Sequence, residues 1–283
     1  MDTIDNKKSQ TKGISHSFSE NIQKINFTNN ELENKILIES SNKSFSQPKI
    51  SIVIPCLNEE AGLKFVLPQI HEVMDEIKLP YEVIIIDDGS NDNTAEIAKK
   101  YYANVLINLD NRGKGFSLQR GFNYAEGDII ITMDGDGTHK PEDIPRLIEP
   151  ILGGQYELVI GSRFLNTADN NTTNLLRTIG NKIFNYLIWF LTGKRLTDSQ
   201  SGFRAFSKKL LRIMGTLHSK GYELESEFII KSIKLIRNKI LEIPIKTMHR
   251  LDGTSRIRII RDSIKIFKKI IQATFSNSKN FKS

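Results

Sequence analysis

Two aspartates separated by one glycine, Asp134-Gly135-Asp136, follow directly on the apolar run Ile129-Ile130-Ile131-Thr132-Met133. Carboxylates at that spacing can face one hard cation, and the glycine allows a tight backbone turn. Mg2+ or Mn2+ with a bound diphosphate is the natural occupant, because the ion neutralises charge that develops on a leaving phosphate. The plain alternative is an Asx-rich turn that caps a strand. Two further apolar runs end in polar groups, at Pro55-Cys56-Leu57-Asn58-Glu59-Glu60 and at Asp87-Asp88-Gly89-Ser90. The second could offer a carboxylate to the base or ribose of a nucleotide, or could simply lead into a helix capped by Ser90 or Asp92. Asn111-Arg112-Gly113-Lys114-Gly115 precedes a helical stretch, so its N–H groups and Lys114 could hold a phosphate, or form an ordinary helix-start loop. Carboxylates at the ends of buried strands are costly unless a cation or hydrogen-bond donors meet them. Three such ends converging on one edge point to a ligand site.

The elements that would position these groups alternate regularly. Strands are expected at 50–55, 82–88, 105–107, 128–133 and 158–160, and helices at about 60–77, 94–102, 115–125 and 144–152. That order predicts an α/β fold with a mostly parallel sheet flanked by helices, in which ligands bind beyond the carboxyl ends of the strands. Past Ser162 the pattern changes. Helices are expected near 174–191, 208–214 and 222–237, a loop at Asp198–Gly202, and a strand at 241–245. A basic amphipathic helix over about 257–275 closes the chain, with Ile260, Ile264, Phe267 and Ile271 as its apolar stripe.

The 283 residues divide into a polar tail over 1–48, expected to be disordered apart from a short helix near Glu31–Ile38, a folded domain over 49–256, and the basic helix within 257–283. The single cysteine, Cys56, excludes a disulfide framework and multi-cysteine zinc sites, and its apolar setting suggests a buried, inert thiol. No run approaches the roughly 20 apolar residues of a membrane span, and no signal peptide is visible, which implies a cytoplasmic location. Residues 231–283 carry 14 Lys/Arg against 3 Asp/Glu, a balance of +11 that leaves −4 for the rest of a chain whose total is +7. An anionic partner or a merely solvated helix face would each account for this. A nucleic-acid role has no support beyond charge.

Taken together, Ile52-Val53-Ile54-Pro55 with Asn58-Glu59-Glu60, Asp87-Asp88-Gly89-Ser90 with Thr94, Gly113-Lys114-Gly115 and Asp134-Gly135-Asp136 resemble the family-2 glycosyltransferases of GT-A fold. His139-Lys140-Pro141-Glu142, Gly161-Ser162-Arg163-Phe164, Asp198-Ser199-Gln200-Ser201-Gly202-Phe203-Arg204 and Glu242-Ile243-Pro244-Ile245 through Arg250, Gly253, Ser255 and Arg256 resemble the dolichyl-phosphate sugar synthases. The resemblance implies an inverting, metal-dependent enzyme that moves a sugar from a UDP- or GDP-sugar to a polyprenyl phosphate. It implies that Pro55, Asn58, Glu59 and Asp88 line the nucleotide pocket, with Lys114, Asp134 and Gly135 also on the donor, and that Asp134 and Asp136 hold Mg2+ or Mn2+. Thr138 stands where relatives often have Gln, so its hydroxyl or a water would complete the ion's surroundings. Arg163, Arg250 and Arg256 match positions that handle diphosphate or acceptor phosphate, and with Asp136 they form the implied catalytic set. Glu225 suits a pairing with an arginine as well as a basic role, and Glu227 is left unassigned. The lipid acceptor would make the protein peripheral at the inner face of the cell membrane, with the basic helix, Trp189 and Phe190 in the interface. A soluble or saccharide acceptor, or a non-catalytic nucleotide-sugar-binding protein, are the competing expectations.

Overall fold

The structure is a computed structural model that describes residues 47–165, 175–251 and 259–275. The tail, its expected short helix, and Arg256 lie outside the described residues. Strands β1 (Ile50–Cys56), β2 (Tyr81–Asp87), β3 (Asn104–Ile107), β4 (Ile129–Thr132), β5 (Leu158–Ser162), β6 (Arg204–Ser207) and β7 (Ile240–Pro244) form one sheet in the order β3-β2-β1-β4-β6-β5-β7. Helices α1 (Glu60–Ile77), α2 (Thr94–Lys100), α3 (Lys114–Tyr124), α4 (Ile144–Leu152), α5 (Leu175–Thr192), α6 (Lys208–Met214), α7 (Leu224–Ile236) and α8 (Ile259–Phe275) connect and cover it.

The near-continuous apolar strands follow from burial on both faces. Side chains alternate along β1: Ile50, Ile52 and Ile54 enter the core under α1 and α4, whereas Val53 enters the core under α3 and α7. The first core takes Leu63, Val66, Ile70 and Met74 from α1, and the second takes Phe122, Phe228 and Ile230. Phe122 meets Phe206 edge-on at 5.5 Å, and Phe206 lies 4.8 Å from Phe228, so β6 is seated by aromatic contacts.

β6 was not expected. It has only four residues, Arg-Ala-Phe-Ser, with no β-branched side chain to mark it, yet it runs antiparallel between β4 and β5 in the middle of the sheet. It is the one strand of the sheet that runs against the others.

α8 carries a second apolar stripe beside the one read from the sequence. Ile266, Ile270 and Ala273 are buried against the rest of the fold, while Ile264 and Phe267 are exposed. The helix carries two neighbouring apolar stripes, and periodicity alone does not say which one faces inward. Lys269 and Lys234 then fasten it: Lys269 Nζ lies 3.1 Å from Glu227 Oε2, and Lys234 Nζ donates to Ala273 O at 2.6 Å.

Glu227 is buried and accepts from Ser219 Oγ (2.6 Å), Ser219 N (2.9 Å) and His218 N (3.1 Å), with Lys231 Nζ at 3.4 Å. Burial alone would raise its pKa, but the Ser219, Lys269 and His218 interactions outweigh it and hold the carboxyl below its ordinary 4.5. A lowered folded pKa means the contribution is complete above the unfolded value and is lost as pH falls through the folded one. Urea unfolding across pH 2–7 should show this acid-side loss, and Glu227→Gln should flatten it from a baseline lower by about 1–3 kcal/mol.

Candidate active site

The site is assembled at the carboxyl edge of β1, β2 and β4. The loop after β1 is locked onto the loop after β2: Asn58 N donates to Ser90 Oγ (2.8 Å), Glu59 N to Thr94 Oγ1 (2.9 Å) and Glu60 N to Asp92 Oδ2 (3.2 Å). Asn58 holds a left-handed backbone, φ 50°, and its Oδ1 accepts from Asn91 N at 2.7 Å. These bonds hold the entry to α1, satisfying its first amide at Glu60, and leave the Glu59 carboxylate facing the centre. Pro55 lies opposite Ile86 in the β1–β2 ladder, which ends one residue later with Cys56 opposite Asp87. Cys56 is buried, and burial pushes its thiol well up, as expected for an inert sulfur.

Asp88 is buried and its carboxylate builds the neighbouring loop. It accepts from Arg112 N (2.9 Å), Gly113 N (2.8 Å) and Asn108 Nδ2 (2.7 Å). Gly113 has φ +93°, and a Cβ there would come within 2.6 Å of Lys220 O; one on Gly115 would meet Gly221 O at 2.7 Å. The glycines on either side of Lys114 therefore let the 219–221 backbone close over the start of α3. Lys114 Nζ consequently reaches Asp134 Oδ1 at 2.7 Å.

The Asp134–Asp136 turn is pinned from several sides. Asp134 N donates to His139 Nδ1 (3.0 Å), and the His139 ring stacks on Phe203 at 5.0 Å. Burial lowers the pKa of His139, which fits a neutral ring accepting at Nδ1. Thr138 donates to Asp136 Oδ1 through its N (3.0 Å) and its Oγ1 (2.6 Å), so its hydroxyl orients the aspartate. Met248 N donates to Thr138 O at 2.9 Å, laying the segment after β7 along the turn. From that segment Arg250 Nη1 reaches Asp136 Oδ2 at 3.3 Å, while its Nη2 pairs with Glu59 Oε1. Burial would raise the pKa of Asp134, but Lys114, His139 and Arg163 outweigh it and hold the carboxyl well below the usual range. Lys114 is the mirror case, with burial overcome by Asp134 and Glu225.

Arg163 is fixed by Asp198, whose side chain is fully buried: Nε and Nη2 donate to its two oxygens at 2.7 and 2.8 Å. Asp198 N in turn donates to Glu242 Oε1 at 2.9 Å. Glu225 is 6% exposed; its Oε2 lies 2.5 Å from Arg204 Nη2 and its Oε1 lies 3.2 Å from Lys114 Nζ. The structure thus brings Glu59, Lys114, Asp134, Asp136, Thr138 and Arg250 into one cluster, with Arg163 close enough to act on Asp134. Asn58 and Asp88 hold loops, and Gly135 seats the turn on Cys56, whose Sγ would lie 2.7 Å from an added Cβ. Arg204, Asp198 and His139 carry no site role in the sequence reading, whereas Glu225 makes the arginine pairing that reading offered, with Arg204 as the partner. The concentration of polar residues in Asp198–Arg204, beside a strand too short to recognise, was the available signal.

Two carboxylates at this turn suit a hard divalent cation. A Cβ on Gly202 would stand 3.0 Å from both Asp134 oxygens, so the absence of a side chain keeps the space over that carboxylate open. Among the described residues no group of three or more His, Cys, Asp or Glu could hold an ion unaided. Bound diphosphate and water would complete the coordination, as is usual for Mg2+.

The family model for glycosyl transferase family 2 matches residues 51–214, more than half of the chain. The chain belongs to that family. This glycosyltransferase is 33% identical over 243 residues to UDP-N-acetylglucosamine--dolichyl-phosphate N-acetylglucosaminyltransferase of Methanococcus voltae, covering 78% of this chain and 94% of the relative. It is 32% identical over 219 residues to undecaprenyl-phosphate 4-deoxy-4-formamido-L-arabinose transferase of Pectobacterium atrosepticum, covering 75% of this chain and 63% of the relative. Its fold matches glucosyl-3-phosphoglycerate synthase of Mycobacterium tuberculosis, crystallised with Mn2+, UDP-glucose and phosphoglyceric acid, with a TM-score of 0.66 at 23% identity over 80% of each chain. The fold is therefore the GT-A fold expected from the sequence.

In the glycosyltransferase, α1 packs directly on the aspartate turn: a Cβ at Gly62 would lie 2.0 Å from Gly135 O and 2.9 Å from Asp136 Cα. Helix propensity alone would reward Gly62→Ala by about 1 kcal/mol. The collision should outweigh that gain, giving a net loss of about 1–2 kcal/mol in urea unfolding together with reduced transfer. A more stable variant would mean that the helix does not set the position of the turn.

Proposed function

We propose that this glycosyltransferase moves a sugar from a nucleoside-diphosphate sugar to a polyprenyl phosphate at a membrane surface. The observation that carries the reading is the cluster in which Asp134 and Asp136 meet Lys114 and Arg250 at the sheet edge. The names of the two curated relatives, both polyprenyl-phosphate sugar transferases, support the acceptor class. The Mn2+ and UDP-glucose of the structural neighbour agree with the donor class and with a divalent ion.

On this reading Asp134 and Asp136 hold Mg2+ or Mn2+, with Thr138 orienting the second carboxylate. The ion supplies Lewis-acid neutralisation of the leaving diphosphate. Glu59, Pro55, Asn58 and Asp88 shape the nucleotide side of the site, directly or by holding its loops. Lys114, Arg163 and Arg250, with Arg256, provide positive charge for the donor diphosphate and the acceptor phosphate. An acceptor phosphate oxygen attacks the anomeric carbon as the bond from that carbon to the diphosphate breaks, and the configuration inverts. A phosphate monoester is already ionised at neutral pH, so no side chain has to remove a proton. Residues 49–256 carry this chemistry.

The membrane side of the proposal rests on an exposed apolar face. α5 exposes Ile179, Ile183, Tyr186 and Phe190 at spacings of three and four, and α8, which packs against it, exposes Ile264, Phe267 and Phe275. Lys265 and Lys268 lie exposed on the same helix. Trp189 is half-buried, with the Arg195 guanidinium 4.5 Å from its ring. Apolar side chains flanked by lysines suit the inner face of an anionic bilayer, with the protein peripheral. No helix among the described residues is long and apolar enough to cross a membrane.

Label from a panel of UDP- and GDP-sugars should pass into the organic phase with a short polyprenyl phosphate, and should be lost with EDTA. Asp136→Ala should reduce transfer by about a hundredfold or more. Label released only to water or to a saccharide would replace the lipid acceptor with a soluble one. Separately, Phe190→Ser with Phe267→Ser should weaken co-sedimentation with anionic vesicles by about tenfold, leaving transfer to a water-soluble short-chain acceptor intact.

A further inference from the structure

Both aspartates of the turn carry a basic side chain, and each of those side chains is shared with a glutamate outside the turn. Lys114 Nζ lies 2.7 Å from Asp134 Oδ1 and 3.2 Å from Glu225 Oε1. Arg250 divides its guanidinium in the same way between Asp136 Oδ2 and Glu59 Oε1. Glu225 Oε1 is buried and has no aligned hydrogen bond, although its partner oxygen Oε2 is held by Arg204 at 2.5 Å. A buried carboxylate oxygen left in that condition is costly, so a state of the protein in which it is fully engaged is favoured. The glycines around Lys114 fix its backbone against residues 219–221, so any adjustment falls to the side chain.

We infer that Lys114 and Arg250 are resident counter-cations of the aspartate pair, displaced onto Glu225 and Glu59 when a divalent cation enters. The inference rests on the metal-dependent reading given above and adds the residue that makes it reversible, Glu225. A divalent ion and an ammonium group cannot share Asp134 Oδ1 at contact distance without strong repulsion. Glu225 offers the ammonium a second carboxylate 3.2 Å away. Two monovalent side chains leave the aspartates as one divalent ion arrives, so the charge on the pair is conserved. The displaced cations stay beside the site, where a donor diphosphate of charge opposite to theirs enters. Ion and nucleotide therefore assist each other, and the ion alone binds weakly. Glu225 acts here as a positioning residue, through Lys114, and not as a base.

The test is Mn2+ binding read by the electron paramagnetic resonance of the free ion, on the full chain, with and without UDP or GDP. Lys114→Met removes the competitor and should tighten Mn2+ binding without nucleotide about tenfold, while reducing the further gain that nucleotide brings. Glu225→Gln strips Lys114 of its alternative partner and should weaken Mn2+ binding about tenfold. Lys114→Arg keeps the charge and should not tighten it. Unchanged or weaker binding by Lys114→Met overturns the inference, because a merely structural lysine would give that sign. Should Lys114→Met lack a cooperative melt, Glu225→Gln decides alone, and wild-type affinity in that variant overturns the inference. Wild-type protein that binds no Mn2+ even with nucleotide would instead remove the metal-dependent reading itself.

Discussion

Carboxylates at the end of a buried strand must be neutralised, and the surroundings of Asp134 and Asp136 are organised by that requirement. β4 is completely buried on both faces, and the turn that follows brings two acids into a partly enclosed edge. Left without counter-charges they would destabilise the fold. Lys114, Arg250 and Arg163 meet that charge, Lys114 from the start of α3 and the arginines from the segments after β7 and β5. The loops themselves are then held by further polar groups: Asp88 builds the path to Lys114, Asp198 fixes Arg163, and Glu242 receives the backbone that carries Asp198. The polar network thus works outward from two aspartates.

The apolar framework explains why such a network can be rigid. Six of the seven strands run parallel and place their carboxyl ends on the same edge, while the short β6 inserts between β4 and β5. That insertion brings Gly202, Phe203 and Arg204 to the site at once. Gly202 leaves open the space above Asp134, Phe203 supports the His139 ring, and Arg204 anchors Glu225. The start of this strand and the two residues before it therefore supply a gap, a stacking surface and a charge to the same part of the site.

The helices that lie farthest from the chemistry have a different character. α5 and α8 each use one stripe to complete the second core and present another to solvent. A soluble surface would not ordinarily gather Ile183, Tyr186, Phe190, Ile264 and Phe267 on adjacent helices. The core contacts of Ile266 and Ile270 make the helix pair part of the fold, and on the proposed reading the flanking lysines turn its exposed face to an anionic interface. The Glu227 network fastens α8 to α7.

Much of this was legible in the chain. The bounds of α1 and α4, the order of the first five strands and the carboxylates at their ends follow from β-branched runs broken by Gly, Asp and Pro, because those signals are local. The motifs in sequence order likewise pointed to the family and to Asp134 and Asp136. Local signals could not supply β6, whose four residues become a strand only by pairing with β4 and β5. They could not choose between the two apolar stripes of α8, since both have helical period and only packing against α7 selects one. Nor could they show that Asp88 serves a loop, or that Lys114 stands between Asp134 and Glu225, residues separated by 91 positions in the chain. Sequence determined which groups exist and which elements carry them; the tertiary structure decided which charges face each other, because that depends on distances between loops that no local pattern encodes.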